Sequence, residues 1–93
     1  MLFRSNASAI RIAGLADGVR LRRAPNSSQP LRVTLKALGA TGTVQWLLDG
    51  RLQGTTEDAH SIALALEQPG EHTITALTAR GAWSALRVSV AAR

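Results

Sequence analysis

Leu31-Arg32-Val33-Thr34-Leu35-Lys36-Ala37 alternates apolar and polar residues without a miss. Side chains on an extended chain point alternately to opposite faces, so this stretch is a strand with one dry face and one wet face. The same pattern recurs along the chain. Leu86, Val88 and Val90 alternate with Arg87 and Ser89. Ile10 and Ile12 flank Arg11, and Val19 and Leu21 interleave with Arg20 and Arg22. His72, Ile74, Ala76 and Thr78 form one face of a further run, with Thr73, Thr75 and Leu77 on the other. Val44-Gln45-Trp46-Leu47-Leu48 is less clean: Val44, Trp46 and Leu48 turn inward, which leaves Leu47 facing out.

Turn residues punctuate these runs. Asp49-Gly50 between apolar flanks is a hairpin signal, because a type I′ turn needs positive φ at both central residues. Asp17-Gly18 and Arg80-Gly81 also read as turns, Asn26 to Pro30 as a loop, and Gln68-Pro69-Gly70 as a break. Within residues 57–68, Ser61 to Leu66 fits two patterns. Ile62, Leu64 and Leu66 alternate as in a strand, while Ala59, Ile62, Ala63 and Leu66 match helical spacing; the strand is the favoured reading. Short strands at roughly ten-residue spacing predict an all-β, immunoglobulin-like antiparallel β-sandwich of about seven strands, with a barrel as the alternative. Trp46 falls where such sandwiches bury their core Trp, but no Cys is present to bridge the sheets.

A chain of 93 residues makes one domain. It is expected to span residues 8–91, with residues 1–7 either a disordered segment or a remnant foreign to the domain. With 45% hydrophobic and 18% charged residues the chain folds rather than staying disordered. The lack of Cys excludes disulfides and thiolate zinc sites. No apolar run approaches the roughly 20 residues that cross a bilayer. Met1 to Asn6 has no long apolar stretch and does not read as a signal peptide. A protein of this kind working outside the cytoplasm would therefore contain this chain as one piece.

The net charge is +5, from 11 basic and 6 acidic residues, and most of the basic ones lie before Leu52. Six of them, Arg11, Arg20, Arg22, Arg23, Arg32 and Lys36, could contact phosphates. A free-standing nucleic-acid-binding β domain is thus the alternative function. Against it, single-strand binders stack bases on aromatic rings, and this chain offers only Phe3, Trp46 and Trp83. Catalytic constellations are poor. Ser61, His72 and Asp58 could be assembled into a hydroxyl–imidazole–carboxylate set, and Asp58, His60 and His72 into a metal site, but no spacing fixes either. A lone surface His is the ordinary explanation for both histidines. Nothing calls for a cofactor, and no Gly-rich phosphate loop is present.

Two surfaces stand out instead. Arg11, Arg32 and Lys36 face outward on strands expected to pair, and form a candidate face for an anionic ligand; the same charges would also guard against sheet aggregation. Leu47, Leu77 and Trp83 face outward on three strands expected to share the other sheet, and form a candidate protein-binding patch.

The order of pieces also resembles a known family. Trp46-Leu47-Leu48-Asp49-Gly50-Arg51 is similar to its strand and turn, and Pro69-Gly70-Glu71-His72-Thr73-Ile74-Thr75-Ala76 to a second segment. Gly81 with Leu86-Arg87-Val88-Ser89-Val90 resembles its final hairpin, and Ile10-Arg11-Ile12 with Asp17-Gly18 its opening. The family is the C-terminal domain of penicillin-binding protein 1C, a bifunctional peptidoglycan synthase. Leu15-Ala16 replaces an expected Pro, and Thr78 an expected acidic residue. The resemblance implies a non-catalytic accessory module in the periplasm, within a protein anchored to the inner membrane. Its implied partners are the parent's catalytic domains, another cell-wall protein, or peptidoglycan. No catalytic residue carries over, because the glycosyltransferase and transpeptidase motifs lie outside these residues.

Overall fold

The computed structural model describes residues 10–22 and 31–91. The expectations for residues 1–7, for Arg23 and for the loop at Asn26 to Pro30 lie outside them. Among the described residues there are eight strands: β1 (Arg11–Ala13), β2 (Val19–Leu21), β3 (Leu31–Leu38), β4 (Thr43–Leu48), β5 (Arg51–Glu57), β6 (Ser61–Leu66), β7 (Gly70–Thr78) and β8 (Trp83–Val90). Two sheets form, one in the order β1-β3-β6 and the other in the order β2-β8-β7-β4-β5. The expected β-sandwich is therefore the fold.

Alternation builds the core. Val33, Leu35 and Ala37 of β3 turn inward against Val44, Trp46, Ile74 and Val88 of the larger sheet, and all are buried. Trp46 is fully buried, and its indole Nε1 donates to Thr56 Oγ1 at 2.9 Å. That bond gives the ring's one polar atom a partner inside an apolar layer. The segment that fitted both a strand and a helix is strand β6. It pairs with β3 in unbroken antiparallel register from Leu31↔Leu66 to Lys36↔Ser61, burying Leu64 and Leu66.

Two features were not read from the sequence. β5 adds an eighth strand, and β2 pairs parallel with β8 while every other pairing among the described residues is antiparallel. The chain reaches β2 by crossing between the sheets after Gly14. A Cβ there would sit 2.3 Å from the Thr34 carbonyl oxygen, and φ is +121°, so both space and backbone require glycine. No helix among the described residues is long and apolar enough to cross a membrane.

Candidate functional site

The larger sheet presents the first candidate surface. Leu77 stands directly across from Trp83, and Leu47 directly across from Leu52. Leu47 pairs with Thr75, two residues from Leu77, so the two couples are diagonal neighbours within reach of long side chains. Trp83 is 50% exposed and Leu52 58%, while Leu47 and Leu77 are half-buried. The three residues expected on this face do share it. Leu52 was missed, although a two-residue Asp49-Gly50 turn sets Leu52 opposite Leu47 by counting outward from the turn.

The smaller sheet presents the second. Arg11, Arg32 and Lys36 are exposed and point away from the core. Arg11 pairs with Leu38, Lys36 with Ser61, and Arg32 with Ala65. No acidic residue lies on these three strands. Arg20 lies on β2 in the other sheet, beside Ser89. The cations are thus divided between two sheets, and Trp83 stands on the opposite sheet from Arg11, Arg32 and Lys36. That separation is a poor basis for combined phosphate contact and base stacking.

The catalytic and metal constellations do not assemble. Asp58 lies in the turn after β5 with φ 56°, and its Oδ1 accepts the Gly42 N–H at 2.8 Å. His60 sits after that turn, with Nδ1 against the Glu57 carbonyl oxygen. His72 is not a surface residue: it is 8% exposed, because its position on β7 shares the inward face with Ile74 and Ala76. Its partner is Asp49, not Asp58. Among the described residues no cluster of metal-ligating side chains occurs.

The Asp49–His72 pair is itself a built feature. Asp49 opens the hairpin turn with φ 53° and Gly50 follows with φ 86°, as a type I′ turn demands. Asp49 Oδ1 accepts the Thr73 N–H at 2.8 Å, and Oδ2 lies 2.6 Å from His72 Nδ1. His72 Nε2 lies 2.7 Å from the Gln68 carbonyl oxygen. Both acceptors lack protons to give, so only the protonated ring can donate to both at once, and the arrangement favours the imidazolium. Burial pushes the His72 pKa down, but the Asp49 carboxylate and the Gln68 carbonyl outweigh it and leave it raised above the ordinary 6.5. The bonds from His72 and the Thr73 N–H hold Asp49 below its ordinary 3.8, against a smaller opposing effect of burial. The pair fastens the β4–β5 turn to β7 and to the β6–β7 turn. It offers no nucleophile, and its proton-bearing atoms are all engaged.

Thr78, which stands where an acidic residue was expected, closes the last turn. Its Oγ1 accepts the Ala82 N–H at 3.1 Å and faces the Ala82 carbonyl oxygen at 3.2 Å.

Among solved structures, the chain is similar to the fibronectin(III)-like modules of Clostridium thermocellum CbhA. The identity is 16%, the TM-score 0.64, and the match covers 88% of this chain and 95% of that one. It is also similar to the CARDB domain of PF1109 from Pyrococcus furiosus, at 20% identity and TM-score 0.52, covering 91% and 94%. At such identities these likenesses concern the fold. Comparison with curated protein sequences gives no match. The model of the Penicillin-Binding Protein C-terminus Family matches residues 2–90, nearly the whole chain, and the chain belongs to that family.

Proposed function

We propose that this domain is a non-catalytic accessory module of a bifunctional peptidoglycan synthase, and that its larger sheet docks on the catalytic domains of the same polypeptide. The observation that carries the reading is the apolar face formed by Leu47, Leu52, Leu77 and Trp83, two of them at least half exposed. Contiguous apolar surface of this kind marks contact sites. A tethered partner is favoured by arithmetic. A short flexible linker holds two domains at millimolar effective concentration, so a small patch suffices where free partners would need a larger one. The parent would be anchored in the inner membrane, with this module in the periplasm.

Hydrogen exchange on the whole synthase tests the reading. Amides of β4, β7 and β8 flanking the patch should exchange more slowly there than in the isolated 93-residue chain. Trp83→Ala should remove the difference. Equal exchange in both contexts would overturn the docking role.

A second reading rests on a separate observation, the three cations without an acidic residue on the smaller sheet. That face would meet the carboxylates of peptidoglycan. Sedimentation with purified peptidoglycan should fall when Arg32 and Lys36 are changed to Glu; unchanged sedimentation would dismiss the reading.

A further inference from the structure

Among the described residues the two sheets have four edge strands, and three of them are protected. β1 and β2 run for only 3 residues each. β5 carries Arg51 and Glu57, and its pairing with β4 is broken by a register shift at Trp46/Leu47. Shortness, bulges and charge are the ordinary means of keeping an edge from recruiting another strand. β6 has none of them. Ser61-Ile62-Ala63-Leu64-Ala65-Leu66 holds no charge and no Pro, and pairs with β3 on one side only. β5 approaches it where Gly54 meets Ile62 Cδ1. Toward Arg51 and Ala65 the two strands border a groove of about 610 Å³ whose lining includes Asp49 and Glu67, so an acidic segment would lie over Ser61 to Ala65 and not in the groove.

The outward side chains of β6 are Ser61, Ala63 and Ala65, none longer than a hydroxymethyl group. Directly beside them on β3 stand Lys36, Thr34 and Arg32. Neighbouring strands lie about 4.8 Å apart, so a strand added to β6 would lie about 10 Å from β3. The long side chains of Arg32 and Lys36 can extend over the small residues of β6 toward it. They are four residues apart on one face, which fixes the spacing of complementary charges.

We infer that the free edge of β6 takes an extended acidic polypeptide segment as a fourth strand of the smaller sheet, its carboxylates four residues apart and facing Arg32 and Lys36. Main-chain hydrogen bonds would supply the pairing, and the two cations its selectivity. The site is independent of the apolar face of the larger sheet.

The probe is the blocked peptide Thr-Glu-Val-Thr-Val-Glu-Thr, titrated into the isotope-labelled chain. Chemical shifts should move along β6 and the outer face of β3, and β6 amides should gain exchange protection. Arg32→Ala together with Lys36→Ala, both exposed positions, should weaken binding roughly tenfold. A peptide N-methylated at alternate residues on its pairing edge should not bind, and a version with Lys for Glu should bind far more weakly. Equal binding of the N-methylated or the Lys peptide would overturn the inference. So would shifts confined to the Leu47–Trp83 face, or self-association of the free chain through β6.

Discussion

The two outer faces of the sandwich obey one rule and differ in what they concentrate: cations without a carboxylate on the smaller sheet, an apolar cluster on the larger. On the smaller sheet, alternation leaves Arg11, Arg32, Lys36 and small residues outside, with Leu38 beside Arg11 as the one large apolar side chain there among the described residues. On the larger, it leaves Leu47, Leu52, Leu77 and Trp83 gathered on one part of the face, with Arg20, Glu71 and Arg87 elsewhere on it. The inward halves of both sheets hold the same kinds of residue and merge into one core. The inward residues therefore specify the fold, with His72 and Thr78 as its buried polar members on β7, and the outward ones make the two faces differ.

The largest test removes what the two faces share. Trp46→Ala should cost about 3–5 kcal/mol, as for a buried aromatic ring, and should abolish both surfaces together in chemical denaturation. A loss below about 1 kcal/mol would mean that the sheets hold together without it. Next comes the fastening of one sheet's hairpin. Asp49→Ala leaves the His72 ring and the Thr73 N–H without their acceptor and puts alanine at positive φ. Because Asp49 is 46% exposed, the loss should fall toward the lower end of about 1–3 kcal/mol. It should loosen the β4–β5 turn more than the smaller sheet, which exchange rates would show.

The same pair makes stability depend on pH. His72 has a raised pKa, so its contribution is complete below the ordinary 6.5 and is lost as pH rises through the raised value. Asp49 has a lowered pKa, so its contribution is complete above 3.8 and is lost as pH falls through the lowered value. The fastening should be strongest between those two ordinary values. Melting temperatures across pH should show the upper decline in the natural chain and not in His72→Gln; an identical decline in both would refute the assignment.

The smallest effects on stability sharpen the contrast most. Trp83→Ala and the Arg32→Glu, Lys36→Glu pair alter exposed positions and should shift unfolding by about 0.5 kcal/mol or less each. Trp83→Ala should abolish docking while leaving peptidoglycan sedimentation intact, and the charge reversals should do the opposite. Crossed effects would mean that the two faces do not act separately.

Strict alternation made most strands legible, because a half-buried strand writes its burial directly into the sequence. β5 was not legible. Gln53-Gly54-Thr55-Thr56-Glu57 is an edge with little apolar patterning, held by backbone pairing to β4 and the Thr56–Trp46 bond. The apolar patch was read from facing directions, yet lacked Leu52 because that strand was lacking. His72 was misjudged for a different reason. Its inward phase was visible, but a histidine can be buried only where acceptors await it. Asp49 and Gln68 come together with it only in three dimensions, 23 and 4 residues away in sequence. The β2–β8 pairing joins residues about seventy positions apart, and no local pattern announces it.

That parallel pairing has a mechanical meaning. β2 belongs to the first part of the chain and β8 to the last, and they run side by side in the same direction. Hydrogen bonds from Gly18 N–H to the Arg87 carbonyl and from Ala91 N–H to the Leu21 carbonyl bracket the pair. Tension that pulls the start of β2 away from the end of β8 acts along both strands. Their hydrogen bonds then share the load in shear and must give way together, whereas an antiparallel hairpin pulled from its open end peels one bond at a time. The short β2–β8 pairing is thus a clamp between the first and last strands of the larger sheet in chain order, placed where tension between them would load it.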